Sequence, residues 1–124
     1  MAKATGRKFW AIAEGYIPEH SHGLEPEMTS HESLCILNTS DKEANIEIMV
    51  YYTEREPTGP YKIVVPARRT RHIRFNDLID PEPIPLATEY ASTIESDVPI
   101  VVQHTRLDSR QAENALFSTI AWSE

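Results

Sequence analysis

The chain has 124 residues, 40% hydrophobic and 25% charged, the balance of one soluble globular domain rather than a disordered tail. No apolar run approaches the roughly 20 residues that cross a bilayer, and the start Met1-Ala2-Lys3-Ala4-Thr5-Gly6-Arg7-Lys8 leads into no apolar signal segment. A single cysteine, Cys35, excludes an internal disulfide framework or a multi-cysteine zinc site. The expectation is one cytoplasmic domain over residues 1–124, with 1–7 and 123–124 as flexible ends.

In chain order, short runs of β-branched and aromatic residues dominate. They are Phe9–Ala13, Ser33–Leu37, Asn45–Tyr52, Tyr61–Val65, Thr70–Phe75, Tyr90–Ile94, Ile100–Thr105 and Ala115–Trp122. Within Asn45–Tyr52, period-two spacing places Ile46, Ile48, Val50 and Tyr52 on one face. Nine prolines are scattered along the chain and leave few windows for a helix. Asn38–Asp41 reads as a turn and Glu56–Pro60 as a hairpin connection. Asp80–Pro85 reads as a stiff extended connector. Short helical turns are expected at Asn76–Ile79 and around Ser109–Asn114. About eight strands without long helices predict an all-β protein, an antiparallel β-sandwich or barrel.

Twelve Lys and Arg against nineteen Asp and Glu give a net charge of −7, unevenly placed. Tyr61–Phe75 holds five bases and no acid, whereas Asn76–Asp97 holds six acids and no base. Such segregation speaks of partners rather than of fold. An acidic chain with one basic stripe is a poor non-specific binder of polyanions, yet the stripe suits a single anionic group. Along Arg68–Phe75, alternation sends Arg69, Arg71, Ile73 and Phe75 to one face and Thr70, His72 and Arg74 to the other. Cations on both faces predict at least one enclosed guanidinium, which needs an anionic partner. The bland reading is an internal ion-pair network of Arg69 and Arg74 with Asp77, Glu32 or Asp108.

Other motifs are weaker. His20-Ser21-His22 with Glu27 has the ligand spacing of a cupin metal motif, but the flanking Pro18, Gly23 and Pro26 make it a solvated loop. Cys35, between Leu34 and Ile36, reads as a small buried hydrophobe. Asp108-Ser109 near His104 lacks the strand–turn–helix elbow of a nucleophile. No catalytic constellation stands in the right context, so a non-enzymatic protein without cofactor or metal is expected.

The segments Trp10–Pro18, Pro66–Thr70, Arg74–Leu78 and above all Val98–Leu116 closely resemble the sensory rhodopsin transducer family. That family comprises small soluble partners of a seven-helix retinal photoreceptor, and the resemblance runs from about Gly6 to Trp122. It implies a β-sandwich of jelly-roll type, assembled as a cytoplasmic homotetramer that relays a light signal. The wider family resembles small-molecule binding domains for carbohydrate-like ligands, and DNA binding is a further implication.

The function expected is therefore a signalling and binding module with a sensory rhodopsin as partner. The alternative is a carbohydrate- or anion-binding regulatory domain without a photoreceptor, and a DNA-binding regulator is third. The ligand site is placed where the basic strand and the His104–Gln111 segment converge. Its residues are His31, Glu32, Arg69, His72, Arg74, Gln103, His104 and Arg106, a mixture of guanidinium forks, imidazoles and an amide suited to hydroxyl or anionic groups. Trp10, Phe117 and Trp122 are the candidates for subunit contacts.

Overall fold

One strand organises the fold. A computed structural model describes residues 3–19, 30–110 and 115–124, and in it Tyr90–Asp108 forms a single strand of 19 residues. Numbered in chain order, the strands are β1 (Arg7–Gly15), β2 (His31–Asn38), β3 (Ala44–Tyr52), β4 (Thr58–Val65), β5 (Arg69–Arg74), β6 (Tyr90–Asp108), β7 (Ala115–Ile120) and β8 (Trp122–Ser123). The first half of β6 lies in a sheet ordered β4-β3-β6-β1-β8. Its second half pairs with β2 and β7, and β2 in turn pairs with β5. Every pairing is antiparallel, and the two sheets close as the expected β-sandwich.

The runs Tyr90–Ile94 and Ile100–Thr105, separate in the sequence reading, are thus one strand, while Ala115–Trp122 divides at Ala121 into β7 and β8. Proline in a strand interior is tolerated at a bulge, and Pro99 stands where β1 changes register against β6, from Phe9↔Glu95 to Arg7↔Ile100. A strand that changes sheets needs such an irregularity. Gly6 sits against this corner with φ +109°, and a Cβ there would fall 1.9 Å from the Ile100 carbonyl oxygen. Only glycine fits that approach.

Alternation fills the core. Ala44, Ile46, Ile48 and Val50 of β3 point inward, with Tyr61, Ile63 and Val65 of β4 and Ile94 of β6. Leu34 and Ile36 of β2 and Val102 of β6 close it from the opposite sheet. The same period turns Cys35 to the other face, where it is half-buried and not the core residue expected. Buried Asn38 fixes the turn after β2, its Nδ2 donating to the Lys42 carbonyl at 2.8 Å and its Oδ1 accepting from the Ser40 hydroxyl at 2.7 Å. The Pro-rich connector is held from below, because the Tyr61 hydroxyl donates to the Glu82 carbonyl at 2.6 Å. Among the described residues the helical element is the 3-10 turn Phe75–Asp77, beginning one residue before the turn expected at Asn76. Of the other expected turn, residues 111–114 lie outside the described residues, as does the His20–Glu27 run.

A candidate functional site around a buried glutamate

Four inward positions of β2 are Glu32, Leu34, Ile36 and Asn38, so alternation itself drives a carboxylate into the sandwich. The register places Glu32 opposite Arg106 and Leu34 opposite His104. Glu32 is 1% exposed and His104 4%. A charge held so far from water needs partners, and Glu32 has them. Its Oε1 lies 2.8 Å from His104 Nε2. A carboxylate oxygen accepts, so Nε2 carries the hydrogen of this bond. Its Oε2 accepts from Arg106 Nε at 2.9 Å and from the Tyr16 backbone N–H at 2.5 Å. Arg106 Nη2 is also 2.8 Å from Oε2, an ion-pair contact outside hydrogen-bond alignment.

The cluster touches two surfaces. Toward β7, the Phe117 ring meets His104 edge-on at 6.1 Å, and the Arg106 guanidinium lies 5.6 Å from the centre of that ring. Toward β1, Tyr90 stands beside Glu32. Its hydroxyl is buried, without an aligned hydrogen bond among the described residues. Burial foremost, and then the neighbouring carboxylate, pushes the Tyr90 phenol far above its ordinary range. The Tyr90 ring forms part of a cleft of about 370 Å³ that also includes Tyr16, Tyr51 and Tyr52, with Glu14 and Glu89 among its lining residues. Gly15 underlies the ring so closely that a Cβ would sit 2.4 Å from two of its carbons. Glu14 reaches back to Arg106, 3.5 Å from Nη1.

A serine clasp holds the entrance of β2. The Ser109 N–H donates to Ser30 Oγ at 2.9 Å, and Asn76 Nδ2 donates to the Ser30 carbonyl at 3.1 Å. Ser109 is thereby structural in its contacts, and Asp108 is taken by Arg110 Nη2 at 2.6 Å.

The eight sequence-derived site residues fall in three places. Glu32, His104 and Arg106 come together in the buried cluster. His31, His72 and Arg74 line a separate groove of about 530 Å³ beside β5. Arg69 curls onto its own backbone, donating to the Arg68 carbonyl at 3.0 Å, and Gln103 donates to Ser118 Oγ at 2.7 Å on the outer face. The basic strand and the His104 segment do not converge, because β2 runs between β5 and β6. Of the acids in the bland reading of the basic strand, Glu32 pairs with Arg106 and Asp108 with Arg110. Tyr16, Tyr90 and Gly15 were missed from the sequence. The Glu32 parity on β2 and the shared face of His104 and Arg106 were the available signals.

None of the curated proteins matches this chain. Among solved structures it is similar to one named Anabaena sensory rhodopsin transducer, at 60% identity and TM-score 0.77, over 84% of this chain and 100% of that one. It is also similar to a crystal structure of Thermotoga maritima 1070, at 34% identity and TM-score 0.85, over 96% of each chain. The family model described as Anabaena sensory rhodopsin transducer matches residues 5–123. The chain belongs to that family of signalling modules.

Proposed function

We propose that this protein relays the state of a sensory rhodopsin by binding it, without catalysing a reaction. The observation that carries the reading is the joint between cleft and core: the Tyr16 amide and the Tyr90 phenol lie at once in the cleft wall and against buried Glu32. A partner that moves either residue acts directly on an ion cluster that does not tolerate partial pairing. Cytoplasmic loops of membrane proteins carry an excess of Lys and Arg, and a tyrosine-rich cleft with Glu14 and Glu89 complements such loops. Charge reversal at Glu89 and Glu14 together weakens capture by nanodisc-held sensory rhodopsin. Undiminished capture by that variant contradicts the cleft as the contact.

The finer parts of this reading are a cytoplasmic location and a homotetramer. Support for the assembly comes from β7 and β8: among the described residues β7 pairs with β6 alone and β8 with β1 alone, and Leu116, Ile120 and Trp122 are 68%, 63% and 59% exposed. An apolar open edge invites pairing with another chain. Trp10, the other sequence candidate, is buried and donates from Nε1 to the Arg7 carbonyl at 3.0 Å, so it belongs to the core.

A second reading is a regulatory domain for a carbohydrate-like ligand, favoured by the aromatic faces and carboxylates of the same cleft. A thermal-shift screen with sugars separates the two, since a ligand that binds only the native state raises the melting temperature. DNA binding comes third, because a net charge of −7 opposes a polyanion.

A further inference from the structure

We propose that the groove between β4 and β5 binds the phosphoryl group of a small molecule. The groove of about 530 Å³ includes Lys62, Ile63, Arg71, His72, Arg74 and Asp77 in its lining, a size that suits a metabolite. Three surface arginines of this chain are matched by acids: Arg55 with Glu82, Arg68 with Asp41, Arg110 with Asp108. Three groups in the groove are not. Lys62 and His72 have no partner among the described residues, and Arg71 donates only to the Val64 carbonyl, at 2.9 Å. That bond holds the guanidinium across the gap between the two strands and leaves its remaining N–H groups for a ligand.

The acid-free stretch Tyr61–Phe75 supplies six of the lining residues against one acid, Asp77, so cations outnumber acids in this recess of an acidic protein. An ammonium, a guanidinium fork and an imidazole drawn from two strands match three terminal oxygens better than the two of a carboxylate. Ile63, Ile73 and Leu78 offer apolar contact beside the imidazoles of His31 and His72. Asp77 repels a long polyanion and accepts hydrogen bonds from hydroxyl groups, so a small phosphorylated molecule fits better than nucleic acid or an acidic peptide. The site does not depend on a photoreceptor partner.

The test titrates the full chain with glycerol 3-phosphate by calorimetry at low salt. Lys62→Gln and Arg71→Gln are each expected to weaken binding about tenfold, the worth of one charge-assisted hydrogen bond. Arg69→Gln, on the same strand but outside the groove lining, is expected to leave it unchanged. Absence of saturable binding overturns the proposal, as does binding insensitive to both groove substitutions or equally sensitive to Arg69→Gln. Tighter binding of a polyglutamate peptide or a short DNA duplex through Lys62 and Arg71 also overturns it, in favour of a macromolecular partner. All three substitutions alter exposed side chains, and unchanged thermal melting verifies that they leave the fold intact.

Discussion

Glu32 and Arg106, 74 residues apart in the chain, face each other across the β2–β6 pairing with Nε 2.9 Å from Oε2. The pair ties the entry of one strand to the far half of the strand that crosses both sheets. Glu32→Ala strands Arg106 and His104 without their acceptor, and breaking a buried pair from one side costs about 3–5 kcal/mol. Urea unfolding measures the loss. Combining Glu32→Ala with Arg106→Ala is expected to cost less than the two single losses added, the signature of coupled residues. Additive losses contradict the pairing.

Gly15 sets the shape of the tyrosine cleft. Gly15→Ala places a methyl 2.4 Å from the Tyr90 ring, so the ring must shift, at about 1–3 kcal/mol for overpacking. The expected outcome is a lower melting temperature together with reduced photoreceptor capture. Wild-type melting and capture would mean that the ring is not fixed from below.

Alkaline pH attacks the same region. Burial raises the phenols of Tyr90 and Tyr52, and it pushes Tyr61 up to about 12 with help from neighbouring Tyr52. A raised folded-state value keeps the native chain protonated where the unfolded chain, from its ordinary 10.0, already ionises. Their contribution to stability is therefore whole below pH 10 and falls above it. Phenolate absorbance and circular dichroism followed together are expected to show late-titrating tyrosines that ionise as the fold is lost. Complete ionisation near pH 10 with the fold intact contradicts this.

The open β7–β8 edge makes a prediction about mass. Light scattering is expected to give about four times the 14.1 kDa of one chain, and Ile120→Glu with Trp122→Glu is expected to release monomers by charging an apolar contact. A wild-type mass near 14.1 kDa contradicts the tetramer.

How far the sequence was legible follows from what period two encodes. It marked the strands, because alternation is local. It did not reveal that Tyr90–Ile94 and Ile100–Thr105 are continuous, since Pro99 reads as a break until the bulge beside β1 is seen. Convergence of Arg69 and Arg74 with the His104 segment failed for a related reason. Charge pattern is blind to strand order, and β2 stands between them. Tyr16 enters through its backbone N–H, which no side-chain pattern reports.

A relay requires different affinity for two states of its partner, because equal affinity shifts no equilibrium. The direct measurement is titration of the full chain against nanodisc-held sensory rhodopsin, in darkness and under illumination. The expected dissociation constants differ by about fivefold or more, the lower range of allosteric coupling, and Glu32→Gln narrows the difference. Identical constants in light and darkness, or no binding in either, would contradict the relay.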